Sequence, residues 1–237
     1  MTRRSFLLGA WIPFFSFFRR SISIGGQKFR IIRRGEDWRH YLWIHGNEQT
    51  AKQVLLEHMK THDGRAFLVE NDKRNIPIQG GVIDPNRMFS SIGAEKNLRK
   101  LNPNWSGAQV QSALKKLDRD RGHFLKMVLP KPGQLLIVLH NNSEGYSVQD
   151  EVPISERASL NNPEHPHEFI LCSYKPDFDI LAGLPLNVVL QSKPGGEDDG
   201  SLSRVAAARG LRYINIECGL GKAEDQRRML DTVERVL

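Results

Sequence analysis

Cysteine is nearly absent from this chain, with only Cys172 and Cys218 in 237 residues. That excludes a small disulfide-built scaffold and a four-cysteine zinc site. The two thiols could pair in an oxidising compartment, but their spacing alone does not decide it. No stripe of basic residues with interleaved aromatics is present. Arg3, Arg4, Arg19 and Arg20 supply four of the net +7, and residues 1–20 contain no acid, leaving +3 for the rest. So mild an excess argues against a nucleic-acid partner. There is no internal repeat and no low-complexity tract. The uncharged run over residues 5–18 has 14 residues, short of the roughly 20 needed for a membrane-spanning helix.

That run follows Met1-Thr2-Arg3-Arg4-Ser5. A paired arginine before an apolar stretch resembles a twin-arginine export signal. The expectation is that residues 1–20 form a signal or anchor and residues 21–237 the folded domain. The protein would then be exported, as a periplasmic or membrane-anchored protein, with membrane association through residues 5–18. No small-x-small cleavage site follows. The competing expectation is a cytoplasmic protein whose N-terminal helix packs on its own domain.

What is present is a set of apolar runs, each ending in a polar group with chemistry. Tyr41-Leu42-Trp43-Ile44 leads to His45. Residues 134–139 lead to His140, and Tyr213-Ile214-Asn215-Ile216 leads to Glu217. Gly81-Val82-Ile83 leads to Asp84-Pro85-Asn86-Arg87. Such runs read as buried strands, and in open α/β sheets ligands bind beyond the carboxyl ends of the strands. The length and an ordinary composition (39% hydrophobic, 26% charged) suit one α/β domain. The predicted architecture is a mostly parallel or mixed central sheet with helices on both faces.

His45-Gly46-Asn47-Glu48 places an imidazole and a carboxylate three residues apart at a strand-to-helix turn. Both could reach one metal ion if the turn is tight, and Gly46 permits a tight turn. Catalytic zinc usually takes three protein ligands and keeps a position for water. His140 is the natural third, so the candidate metal ligands are His45, Glu48 and His140.

These segments, together with Met88-Phe89 and Cys218-Gly219, resemble the succinylglutamate desuccinylase/aspartoacylase family, a branch of the zinc carboxypeptidase clan. The order of its motifs matches over residues ~40 to ~225. The resemblance implies a zinc carboxypeptidase-like fold with one zinc ion per chain, held by His45, Glu48 and His140. It implies that Glu217 is the general base and acid, and that Asn86 and Arg87 hold a substrate carboxylate. Arg74 would polarise the scissile carbonyl. The chain departs from the family in two places. Leu139 stands where an acid usually precedes the strand-end histidine, so a carboxylate that orients the ligands must come from elsewhere. Leu220 stands where the family has Pro or a similar residue. Tyr146 and Tyr174 are candidates for a substrate-contacting tyrosine. Cys218 should face away from Glu217, because side chains alternate along a strand.

Elsewhere, residues 21–34 read as an edge strand or a hairpin around Gly25-Gly26, and residues 66–70 as a further strand. Residues 51–60 read as a helix with Val54, Leu55 and Met59 inward. Residues 108–121 read as another, N-capped by Ser106. Residues 141–166 read as a long loop on the rim of the cleft. His165-Pro166-His167 reads as a polar surface loop rather than a second metal site. His58 and His62 read as a solvated helix face. Residues 187–190 read as a short strand, and residues 201–209 as a helix that carries Arg204 on the surface or toward substrate. Residues 223–237 read as a helix closing the chain, with Met229, Leu230, Val233 and Val236 as its apolar positions.

The expected function is that of a zinc metallohydrolase cleaving an amide bond next to a free carboxylate. Export favours a metallocarboxypeptidase acting on peptides. The motifs favour an N-acyl amino acid amidohydrolase. A non-catalytic zinc- or peptide-binding module of the same fold is the alternative from another class.

Overall fold

The computed structural model describes residues 21–143, 145–193 and 195–237. The expected signal or anchor over residues 1–20 lies outside the described residues. No helix among the described residues is long and apolar enough to cross a membrane.

The chain opens with a hairpin of β1 (Ser21–Ile24) and β2 (Gln27–Arg34). It continues through β3 (Arg39–Trp43), α1 (Gln49–His58) and β4 (Gly64–Val69). A small ribbon of β5 (Ile76–Ile78) and β6 (Gly81–Ile83) leads into a 3-10 turn over Pro85–Arg87. Next come α2 (Ser91–Leu101), α3 (Gly107–Val128), β7 (Leu135–Asn142), α4 (Val148–Glu151) and β8 (Arg157–Leu160). The last third holds β9 (Phe169–Cys172), α5 (Lys175–Leu181), β10 (Asn187–Leu190), α6 (Leu202–Ala208), β11 (Arg212–Gly219) and α7 (Ala223–Val236).

Among the described residues, nine strands form one mixed sheet in the order β1-β2-β4-β3-β7-β11-β9-β10-β8. The central neighbours β4, β3, β7 and β11 run parallel. β7 is buried along its whole length, as expected of a strand covered on both faces. Helices α1, α5 and α7 pack on one face, and α2, α3 and α6 lie on the other. The predicted single-domain α/β architecture is the one observed.

Several elements differ from the sequence reading. The helix expected over residues 108–121 runs on to Val128, because Phe124, Leu125 and Val128 extend its buried stripe. Ser106 caps it, with Gln109 completing a capping box. Helix α2 was not foreseen; Ser90 caps it, and its buried face is only Gly93, Ala94 and Leu98. The expected loop over residues 141–166 contains α4 and the edge strand β8, which pairs antiparallel with β10. His58 is buried rather than solvated, because α7 packs over α1 there and brings Glu234 to it. Its ring stacks on His62 at 3.8 Å.

The two cysteines are free and buried. The register pairs Cys172 with Ile214, four residues from Cys218 along β11. At about 3.4 Å per residue that is about 14 Å, well beyond disulfide reach. Cys218 lies on the opposite face of β11 from Glu217, and its thiol points to the Lys222 carbonyl.

Candidate metal centre

The parallel strands β3, β7 and β11 end side by side, and their ends carry the site. Leu42 is in register with Val138 and Glu217 with His140. His140 and Glu217 therefore stand next to each other on one face of the sheet. After β3 the chain turns back on itself, with the Glu48 amide donating to the His45 carbonyl at 3.1 Å. The buried Trp43 indole donates to the Glu48 carbonyl at 2.8 Å and locks that turn. His45 and Glu48 thus project to the same side.

The sequence reading gave Gly46 the role of permitting a tight turn, but its φ is not in the left-handed region. Its lack of a side chain serves a close approach instead. A β-carbon there would sit 2.3 Å from the Asn71 carbonyl oxygen. The loop after β4 packs against this glycine, and the Gly46 amide donates to the Lys73 carbonyl at 3.1 Å. That contact delivers the adjacent Arg74 to the site.

Three donor atoms converge. His45 Nδ1 is 2.8 Å from Glu48 Oε1, and His140 Nδ1 is 3.1 Å from Glu48 Oε2. The two Nδ1 atoms are 3.2 Å apart. Tetrahedral ligands held at zinc distances stand about 3.3 Å from each other. His45, Glu48 and His140 are the only group of this kind among the described residues that could hold a metal ion. Two imidazoles and a carboxylate, with room beside them, are the donor set of a catalytic divalent ion, so the residues fit a metal.

The orienting carboxylate absent before His140 is supplied elsewhere. Asp84 Oδ1 lies 2.8 Å from His45 Nε2. It fixes the ring so that Nδ1 faces the site. The sequence placed Asp84 in the Asn86-Arg87 cluster without giving it this role. The available signal was its position at the end of β6. His140 Nε2 is buried and has no partner.

Electrostatics follow from this crowding. For His45, burial favours the neutral ring, yet the hydrogen bonds to Asp84 and Glu48 outweigh burial and raise its pKa to about 8. For Glu48, burial raises the pKa, but the two imidazoles overcome that and bring it down to about 2. Asp84 is likewise held well below the carboxylate range, against its burial, by His45 and Arg74. Glu217 goes the other way. Burial raises its pKa, and Glu48 adds to the rise, against the opposing charge of His140.

The remaining candidates line the same cleft, a cavity of about 960 Å³. Arg74 bridges Glu48 at 3.2 Å and Asp84 at 3.4 Å, with half its side chain exposed. The Asn86 side chain accepts from the Leu202 amide at the start of α6. Arg87 pairs with Asp199 at 3.4 Å, and so does Arg204 at 3.3 Å. Gly200 holds this corner together at φ +78, where a β-carbon would meet the Arg87 carbonyl. Tyr146 lines the cleft, whereas Tyr174 sits exposed before α5 and does not. His165 and His167 are on the cleft rim, and His167 Nδ1 bonds the Tyr146 carbonyl. Asp199, Glu151 and Gln191 also line the cleft and were not singled out in the sequence, because no local pattern marks them.

No family model matches the chain. No curated protein matches it. Solved structures do align with it. The ectoine utilization protein EutE (DoeB) of Ruegeria pomeroyi, in its product-bound form, does so at 15% identity and TM-score 0.45, over 87% of this chain and 59% of that one. A succinylglutamate desuccinylase/aspartoacylase of Rhodobacter sphaeroides aligns at 13% identity and TM-score 0.44, over 91% and 62%. A succinylglutamate desuccinylase of a Silicibacter species aligns at 13% identity and TM-score 0.42, over 89% and 59%. The chain spans about three-fifths of the length of these proteins.

Proposed function

We propose that this chain is a zinc-dependent hydrolase that cleaves an amide bond next to a free carboxylate, acting on the C-terminal residue of a peptide. The observation that carries this reading is the convergence of His45 Nδ1, His140 Nδ1 and the Glu48 carboxylate beside the buried Glu217. When bound there, a zinc ion supplies Lewis-acid polarisation of a carbonyl and acidifies water.

The chain's own groups do the rest. Glu217, with its raised pKa, takes a proton from the attacking water and hands it to the leaving amine. Asp84 holds the His45 ring in place. Arg74, half exposed beside Glu48, can turn its guanidinium to the scissile carbonyl oxygen and stabilise negative charge as it develops. Arg87 and Asn86 offer a planar fork and an amide to the free carboxylate. Pairing with Asp199 holds Arg87 in position until a substrate carboxylate competes for it.

The cleft favours a peptide over a small acyl amino acid. Its volume of about 960 Å³ is at the upper end for small-molecule pockets, which run to roughly 1,000 Å³. Leu220 and Ile154 on its edge are 61% and 36% exposed, which gives apolar footing to a longer chain.

The test is a panel of peptides and N-acyl amino acids given to zinc-loaded protein and to Glu217→Gln. The expected result is peptide hydrolysis that falls at least about a hundredfold in kcat in the variant, with fold and metal retained. Near-normal turnover by Glu217→Gln would defeat the mechanism. Hydrolysis of acyl amino acids alone would move the substrate to the amidohydrolase class.

A further inference from the structure

The face of the sheet that carries Glu217 continues past it into a slot. Leu171 pairs with Asn215 in the β9–β11 register, so it shares the face of Tyr213, Asn215 and Glu217. Leu171 also pairs with Val189 on β10, and Gln191 follows two residues later on the same face. Tyr146 and Ile154 close the slot from the segment after β7 and line the cleft together with Leu171, Tyr213 and Gln191. The walls are therefore aromatic and aliphatic. At the end stands Glu151, the last residue of α4.

Glu151 is half-buried, and its partners are unusual for a carboxylate in such a place. One oxygen accepts from the Tyr146 hydroxyl and the other from the Gln191 amide. Both donors are neutral. Glu151 makes no ion pair among the described residues, whereas Asp199, a few side chains away in the same cleft, has two arginines. A carboxylate can accept about four hydrogen bonds, so Glu151 keeps capacity to spare. Held partly out of water with no ion pair among the described residues, it gains from a ligand that brings a cation. The Tyr146 and Tyr213 phenols both feel the charges of Glu217, Glu151 and Arg87. Glu151, Arg87 and Glu217 all line the one cleft.

We infer that Glu151 sets specificity: it receives the cationic tip of a side chain whose aliphatic stem lies between Tyr146, Leu171 and Ile154. The substrate class is a peptide whose terminal residue carries both a free carboxylate, on Arg87 and Asn86, and an ammonium or guanidinium at the end of its side chain. This rests on the reading above for which residue is held. It goes beyond that reading in saying which residue is chosen. The stem and the charge are matched separately, as long cationic side chains require.

The test uses binding of the leaving residue, which does not depend on turnover. Lysine, arginine and norleucine, each in both enantiomeric forms, are titrated calorimetrically into the zinc-loaded full chain and into Glu151→Gln. Norleucine keeps the stem and lacks the charge. A cationic residue should bind about ten- to a hundredfold tighter than norleucine, the range for one charge-assisted hydrogen bond. In Glu151→Gln the two should come within about threefold of each other. Arginine against lysine distinguishes the two cations. Equal binding of lysine, arginine and norleucine by the unaltered protein would overturn the inference and would mean that Glu151 only buttresses Tyr146. Failure of all three to bind would overturn it as well, as would a cationic preference that survives Glu151→Gln. Peptides ending in the same residues separate the two claims. Hydrolysis without cationic preference removes this inference and leaves the proposed function. Preference in binding with no hydrolysis of any peptide does the reverse.

Discussion

A β-carbon on Gly46 would lie 2.3 Å from the Asn71 carbonyl oxygen and 2.8 Å from that of Lys73. Neither is a flexible side-chain end, so the loop carrying Arg74 would have to move. Gly46→Ala is expected to lower stability by about 1–3 kcal/mol, the usual cost of overpacking. It should also lower turnover more than metal content, because the turn that carries His45 and Glu48 keeps the Trp43 bond to the Glu48 carbonyl. Thermal melting, metal analysis and kinetics on that variant check this. At Arg87 the expected effect is on substrate. Arg87→Ala should raise KM about ten- to a hundredfold and leave the metal in place, and an unchanged KM would remove the carboxylate clamp. At this scale the sequence made the convergence of three side chains legible, since His45 and Glu48 sit in one turn and His140 ends an unbroken apolar run. It did not reveal Asp84 as the partner of His45 or Glu151 as a cleft residue. Those depend on β6 and α4 being brought to the centre by the fold, and nothing local records that.

At the scale of elements, α1 has no side-chain cap of its own at Glu48. The cap comes from another strand. Asn141 Oδ1 accepts from the Ala51 amide at 2.8 Å, and its amide nitrogen donates to Gln226 of α7 at 3.1 Å. Gln226 in turn donates to the His140 carbonyl at 2.8 Å. One asparagine thus ties α1, β7 and α7 behind His45, Glu48 and His140. Asn141→Ala is expected to cost about 1–3 kcal/mol, since it removes a cap and leaves buried groups unpaired. Chemical denaturation measures it, and a change below about 0.5 kcal/mol would contradict the cap. A second tie joins α7 to β3 and α1. Glu234 accepts from the Tyr41 hydroxyl at 2.7 Å, pairs with Arg39 at 2.7 Å and approaches His58 at 3.5 Å. Burial would raise the pKa of Glu234, but these partners outweigh it and lower it. A carboxylate with a lowered folded pKa contributes stability that is whole above its unfolded value of 4.5. That contribution drains away as the pH falls through the folded value. The melting temperature of Glu234→Gln should therefore fall less steeply below pH 4.5 than that of the unaltered protein, and parallel acid limbs would contradict this. The buried His58 was hidden from the sequence for the same reason as this tie. An i, i+4 histidine pair at the end of α1 gives no hint that α7, 170 residues later, packs over it.

For the whole molecule, the decisive fact is the order of strands. β3, β7 and β11 lie far apart in the chain and adjacent in the sheet. Their parallel alignment sends His45, His140 and Glu217 to one edge. The apolar runs made the central strands legible. The outer part of the sheet, from β8 to β10, was only partly so, because its strands are four residues long and their pairing is not local. Because His45 and Glu48 come from the turn after β3 and His140 from β7, a metal bound between them should stabilise the fold as a whole. The gain is about 4 kcal/mol at a thousandfold excess of free ion over its Kd, visible as a fall in melting temperature on chelation. The most direct test of the central claim is metal stoichiometry on purified protein, set beside His45→Ala and His140→Ala. About one zinc per chain is expected in the unaltered protein, with loss of most of it in each variant and the fold retained. Full occupancy in both variants, or no metal uptake by the unaltered protein, would contradict it.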